Sequence, residues 1–296
     1  MRDTLKNTRL GRAISQFRRQ SLSIANGTAL RLFLAAEERR RRRSAAAPCL
    51  HLANSGVAMV AHVFYADLLD EIVACHANLP ASAPCFVTAP QEVVDQLRPR
   101  MKALPNILVS PVENRGRDIA PFLQLLKTGV LDEYAAVLKL HSKRSPHLAH
   151  GALLRRALFT ALAGHPDVVG QVLSVMDDPQ VGMVGWRRVF MTSARHWHTN
   201  RKRVEALAQS LNPPAPLQLG FFGGSMFWFR PAALRSIAAL PLDAEDFEPE
   251  TGQIDGMLHH ALERCFAIGA AASGYHVKDT TGRLLLQANS PPVPVA

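Results

Sequence analysis

From Gly56 onward, short apolar runs alternate with helical patterns, and this alternation restricts the chain to few folds. Gly56 to Tyr65 (GVAMVAHVFY) reads as a buried strand, followed by a helix from Leu68 to Ala77 with Asp67 placed to cap it. Leu68, Leu69, Ile72 and Val73 make one apolar stripe on that helix. Cys85 to Thr88 is a second strand, Gln91 to Leu97 a helix, and Ile107 to Val109 a third strand. A β-α-β-α-β order implies parallel pairing with right-handed crossovers. A helix at Ile119 to Leu126 and a strand at Ala135 to Leu140 continue it. The last of these is a continuous apolar run, which suits a strand covered on both faces.

Further on, helices are expected at Gly151 to Leu162, Asp167 to Met176, Val204 to Leu211, Pro231 to Ile237 and Met257 to Phe266. Strands are expected at Val181 to Gly185, after the Gly223-Gly224 turn, and at Tyr275 to Val277.

The charge is lopsided. The chain carries a net +10, yet residues 1–43 alone hold twelve Lys or Arg against three Asp or Glu. The body is close to neutral, which argues against a nucleic-acid partner, since such domains carry a basic face of their own. No apolar run in residues 1–43 reaches the ~20 residues of a spanning helix. The segment reads either as a peripheral contact with an anionic membrane or as a basic tail. The expected division is a basic segment and linker at 1–50, an α/β domain at 51–285 and a tail at 286–296. Four cysteines, Cys49, Cys75, Cys85 and Cys265, show neither metal spacing nor a paired framework, and read as reduced thiols of a cytosolic protein.

The densest polar cluster runs from Glu113 to Ser145. Asn114-Arg115-Gly116-Arg117-Asp118 leads into a helix that Asp118 can cap. Gly116 permits a tight or left-handed backbone. A capped junction explains Asp118 and Gly116 but not two arginines flanking the glycine. At the end of the strand stand His141, Lys143 and Arg144. Three potential cations at such an edge suit an anionic ligand such as a phosphate, and equally a solvated basic turn. Later, Glu248, Glu250 and Asp255 gather before a helix, where they can be a general base or charges favoured by the helix dipole.

Taken together, HVFYADLLDEI, ENRGRDIAPFLQLL, VLKLHSKRSPH, VGMVG, GFFGGSMFWFRPAAL and DFEPETGQIDGMLHHALER resemble the rhamnan synthesis protein F family of bacterial polysaccharide assembly. The likeness runs from about His62 to Tyr275. It implies an α/β, GT-A-like fold: a mostly parallel, Rossmann-like central sheet flanked by helices. It also implies a glycosyltransferase that inverts and adds rhamnose or a similar sugar.

The donor would be a nucleotide sugar such as dTDP-rhamnose, the acceptor a glycan or lipid-linked glycan, and the location the cytoplasm or the inner face of the cell membrane. Asn114-x-Gly116 matches the N-x-G segment of such enzymes. Their D-x-D metal motif is replaced here by His141-Ser142-Lys143, which puts a divalent metal in doubt. Lys143 and Arg144 are then expected to neutralise the diphosphate. Asp255 is the first candidate base and Glu250 the second. The expected substrate-binding set is His62, Asn114, Arg115, Gly116, Arg117, Asp118, His141, Lys143, Arg144, Gly223, Gly224, Ser225 and Glu248. Two other readings stay open: a non-catalytic nucleotide-sugar or glycan-binding protein, and a glycoside hydrolase, which would need a second acidic cluster.

Overall fold

The first β-α-β-α-β passage folds as its pattern implies. β1 (Val57–His62), β2 (Cys85–Ala89) and β3 (Ile107–Pro111) pair in parallel, connected through α2 (Leu69–His76) and α3 (Gln91–Met101). The chain then passes through α4 (Ile119–Lys127) to β4 (Ala136–His141), which pairs in parallel with the opposite side of β1. This is a computed structural model that describes residues 26–42, 56–101, 104, 106–144, 149–211, 217–252 and 255–288.

The chain divides into two units. One comprises Met1–Ala45 with Lys143–Thr160, and the other Ala46–Ser142 with Ala161–Ala296. In the first unit, helix α1 covers 26–42. A Cβ at Gly27 would stand 2.4 Å from the His150 ring, which would have to turn aside to admit it. Arg155, buried, donates to the Lys143 carbonyl at 2.8 Å. Residues 1–25, the expected linker at Ser44 to Pro48 and the tail beyond 288 lie outside the described residues. Among the described residues no helix is long and apolar enough to cross a membrane.

The second unit holds the sheet. α5 (Gly151–Ala163) belongs to the first unit up to Thr160; α6 (Pro166–Met176), β5 (Val181–Gly185), the short β6 (Phe190–Met191), α7 (Arg201–Leu211), β7 (Phe221–Phe222) and β8 (Phe227–Phe229) follow in the second. α8 (Arg235–Ala238), α9 (Leu258–Ala272), β9 (His276–Asp279) and β10 (Leu284–Leu286) complete it. The sheet order is β10-β9-β5-β8-β4-β1-β2-β3, and β6 and β7 form a separate antiparallel ribbon. β8 lies antiparallel between β4 and β5, and β10 is antiparallel to β9. The remaining pairings are parallel, so the sheet is mostly parallel and flanked by helices.

Three local expectations are corrected. β1 stops at His62 rather than Tyr65, because the amides of Phe64 and Tyr65 turn to the Ser142 hydroxyl at 2.8 and 2.9 Å. Asp67 lies inside a 3-10 turn, Ala66–Leu68, and does not cap α2, whose N-cap position is Leu68. Pro231 opens a 3-10 turn, Pro231–Leu234, before the single-turn α8, so no continuous helix runs to Ile237.

The core beside β4 is aromatic. Phe122 of α4 meets Phe227 and Phe229 of β8 and Phe266 of α9 edge to face, with centroids 6.3, 5.3 and 5.4 Å apart. Such pairs contribute roughly 0.5–1.5 kcal/mol each beyond their buried area. They clamp α4, β8 and α9 together under the carboxyl end of β4.

Candidate functional site

β2 and β3 extend the sheet on one side of β1, while β4 starts the other side. The direction of crossover therefore reverses between β1 and β4. In open α/β sheets the ligand crevice lies outside the carboxyl ends of the strands at such a point. His62 and His141, the last residues of β1 and β4, are register partners there.

The centre of the site is a buried charge cluster. Lys139 of β4 is 1% exposed. Its Nζ donates to Asp118 Oδ2 at 2.6 Å, to the Ser225 carbonyl at 2.8 Å and to Ser225 Oγ at 3.0 Å. It also stands 5.0 Å from the Phe122 ring centroid. His141 Nδ1 is 3.2 Å from the same Asp118 oxygen. Burial works against the Asp118 charge, but His141 and Lys139 outweigh it and hold the carboxyl well below its usual range. Asp118 occupies the N-cap position of α4 without a side-chain capping bond. Its carboxylate is spent on the cluster instead, which corrects the capping expectation.

Gly116 lets the loop into this space. Its φ is +59°, and a Cβ would stand 2.6 Å from both Ala120 Cβ and the Phe247 ring. Arg115 Nη1 donates to the Phe247 carbonyl at 3.2 Å. Arg117, itself at φ +55°, grips Glu250 with two parallel bonds of 3.0 Å. This hydrogen-bonded partner lowers the Glu250 carboxyl pKa against the opposing effect of burial. Glu248 accepts the Leu258 amide at 2.9 Å at the start of α9 and pairs with Arg203 at 2.5 Å.

Asp255 is committed elsewhere. It accepts the Thr199 amide at 3.1 Å, the Thr199 hydroxyl at 2.8 Å and Asn200 Nδ2 at 2.5 Å. Burial opposes its charge, but these bonds bring the carboxyl down to about 2, which makes it a weak proton acceptor. Its geometry is that of a brace between α7 and α9.

The expected residues thus fall into groups. Asp118 and Ser225 accept bonds from Lys139, His141 meets the same Asp118 oxygen, His62 is the register partner of His141, and Gly223 and Gly224 form the turn that leads into Ser225. Gly224 donates its amide to Glu263 of α9 at 2.8 Å. Asn114 lines a cavity of about 380 Å³ with Pro90, Gln91, Pro111 and Val112, beyond the ends of β2 and β3. Lys143 and Arg144 follow β4 in sequence but belong to the other unit.

Lys139 was not expected from sequence. Its signal was a lone lysine inside an apolar strand, since a lysine is almost never fully buried unless paired. At the D-x-D position, Ser142 caps the amides after β1, and the nearest carboxylate, Asp118, already holds an ammonium. This donor set does not suit a divalent cation. Among the described residues no group of three or more His, Cys, Asp or Glu could hold a metal ion.

The family model described as rhamnan synthesis protein F matches residues 41–275. The chain belongs to the rhamnan synthesis protein F family. Two curated relatives are the uncharacterized WxcX proteins of Xanthomonas campestris pv. campestris. That of strain B100 is 34% identical over 231 residues, covering 76% of this chain and 33% of its own length. That of strain ATCC 33913 is 33% identical with the same coverage. This member of the rhamnan synthesis protein F family therefore spans about one third of the curated relatives it matches. Among solved structures, the mannosyltransferase PcManGT from Pyrobaculum calidifontis, in complex with GDP-Man and Mn2+, gives a TM-score of 0.44 at 14% identity over 91% of this chain and 68% of that one. TarS 1-349 from S. aureus gives 0.41 at 9% identity over 79% and 59%.

The buried histidines should make the fold of this rhamnan synthesis protein F chain acid-sensitive. Burial brings His62 down to about 4, with Asp118 pulling it up and His141 and Lys139 pushing it further down. His260 is likewise brought down to about 4, first by burial and then by His259 and Arg117. The unfolded chain takes up these protons near pH 6.5, while the fold resists until about 4. Stability is therefore full above about pH 6.5 and falls between there and about 4, by up to about 3 kcal/mol for His62. His62→Gln keeps a polar partner for Thr88, which the imidazole meets at 3.1 Å. Denaturant titrations from pH 7 to 4 should show a shallower pH slope in the variant, with His260 supplying part of what remains. An unchanged slope would refute the assignment.

Proposed function

We propose that this chain is a nucleotide-sugar-dependent glycosyltransferase of bacterial cell-surface polysaccharide assembly. The observation that carries this reading is the buried Lys139-Asp118-His141 cluster at the β1–β4 switch point in a rhamnan synthesis protein F chain. The family description favours rhamnose as the transferred sugar, with dTDP-rhamnose the first donor to test and a glycan or lipid-linked glycan as acceptor.

In the proposed inverting reaction, a carboxylate takes the proton of the acceptor hydroxyl. The freed oxygen attacks the anomeric carbon, and the bond to the diphosphate oxygen breaks with its electron pair leaving on the diphosphate. Arg117, on the β3–α4 loop, is a partly exposed cation that can meet that charge. Taking Arg117 from Glu250 would free the carboxylate as the base, so ligand binding and base activation are one event. Glu250 is preferred to Asp255 because two of its three bonds come from Arg117, which a diphosphate can draw off to leave only the Gly252 amide at 3.2 Å, whereas Thr199 and Asn200 hold Asp255 from the chain ahead of α7.

The closed Arg117–Glu250 pair also favours a second reading, a nucleotide-sugar-binding protein without transfer. Thermal shift against a panel of nucleotide sugars, followed by an assay for nucleoside diphosphate release, separates the two. Stabilisation grows with occupancy, and a ligand at about 100 times its Kd adds roughly 2.7 kcal/mol. Binding with release supports the transferase, and binding without release supports the second reading. No stabilisation by any donor refutes both.

A further inference from the structure

We propose that His259 is a substrate-binding residue that receives a sugar hydroxyl, an assignment that rests on the glycosyltransferase reading. His259 is 4% exposed, and neither ring nitrogen has a hydrogen-bond partner among the described residues. Buried polar atoms in native proteins are nearly always paired, so a buried ring with both nitrogens unmet calls for a partner that the described residues do not supply. Its neighbour differs: His260 Nδ1 accepts the Met257 amide at 3.3 Å, and the two rings lie 4.1 Å apart.

The position on α9 directs this ring to the site. Residues four apart share one helix face, and Glu263, four residues on, takes the Gly224 amide at 2.8 Å. That face therefore looks onto the turn whose Ser225 is held by Lys139. The groups whose charges act on His259 are Arg117, Glu250, Asp118 and Glu248. Burial first, and then Arg117, lowers its pKa against the pull of the three carboxylates, so the ring is neutral at neutral pH.

A neutral imidazole offers one donor and one acceptor. That pair matches a hydroxyl, which also donates and accepts, and it does not match a phosphate, which would select a cation. The hydroxyl can belong to the donor sugar or to the glycan acceptor.

The test compares wild type with His259→Phe, which keeps a planar ring and removes both nitrogens, and His259→Gln, which restores a donor and an acceptor. Three readouts are used: thermal stability, binding of a nucleotide sugar and of its nucleoside diphosphate alone, and nucleoside diphosphate release with and without added rhamnan. His259→Phe should fold with unchanged or raised stability, because it removes unpaired buried polar atoms, and should bind the nucleoside diphosphate normally. A loss of about tenfold or more in nucleotide-sugar affinity places the hydroxyl on the donor. Normal donor affinity with a similar loss confined to rhamnan-dependent release places it on the acceptor. His259→Gln should recover part of either loss.

Wild-type values in all three readouts for His259→Phe would overturn the proposal. So would a variant that loses stability and diphosphate binding together, which marks a packing role. If wild type itself binds no nucleotide sugar, the transferase reading fails and takes this assignment with it. If wild type binds and turns over while His259→Phe is normal, only the assignment falls.

Discussion

Lys139→Met should destabilise the fold by about 3–5 kcal/mol, the cost of leaving one partner of a buried ion pair uncompensated. Methionine keeps most of the lysine stem, so the loss reads the charge rather than the volume. What remains behind is the Asp118 carboxylate, without its 2.6 Å ammonium, and a Ser225 carbonyl without its 2.8 Å donor. His141 still faces Asp118, so the carboxylate keeps one neighbour. Denaturant unfolding at neutral pH gives the figure directly. Adding Asp118→Asn to Lys139→Met should recover much of the loss, because the second change removes the orphaned charge and the two sites are in contact. If Lys139→Met costs less than about 1 kcal/mol, the cluster contributes no more than an exposed pair does, and the expectation of a buried, uncompensated Asp118 charge is refuted.

The elements that sequence reasoning found are those whose signal is local. β1, β2, β3, β4 and β5 each announce themselves as a short apolar run, and α6, expected from Asp167, begins one residue earlier at Pro166, a first-turn position where a missing N–H costs little. β8 is different. Phe227-Trp228-Phe229 reads as buried strand, but its antiparallel direction follows from pairing Lys139 with Phe227, a partner 88 residues away. No local pattern carries that information.

The ribbon of β6 and β7 is two residues wide on each side and leaves no periodicity to detect. At the site, residue type was legible and partnership was not. Asp118 before Ile119 has every mark of a helix cap, and only the arrival of β4 beside it turns its carboxylate to Lys139 and His141. Glu250 and Asp255 look alike in sequence. The fold separates them by giving one an arginine from the β3–α4 loop and the other the first residues ahead of α7.

That separation sets the second large effect. Glu250→Gln should lower turnover by about a hundredfold to ten-thousandfold, the range for removing a general base, with donor binding near normal. Stability should change little, because the Arg117–Glu250 pair is partly exposed and such pairs contribute roughly 0–1 kcal/mol. Asp255→Asn should behave in the opposite way. It weakens bonds from Thr199 and Asn200 to a charged acceptor, each worth roughly 1.5–3 kcal/mol, so the protein loses stability while the folded fraction turns over at close to the normal rate. Measuring turnover per folded molecule, with the folded fraction from unfolding curves, keeps the two effects apart. Arg117→Lys adds a check on the coupling. It retains a charge for the diphosphate but loses the two-bond grip on Glu250, so Glu250 should titrate closer to its ordinary value in the free protein. The outcome that reverses the assignment is a well-folded Asp255→Asn protein with turnover lost beside a Glu250→Gln protein with turnover kept. In that case the base is the carboxylate between α7 and α9, and the Arg117–Glu250 pair is a clasp that holds the β3–α4 loop.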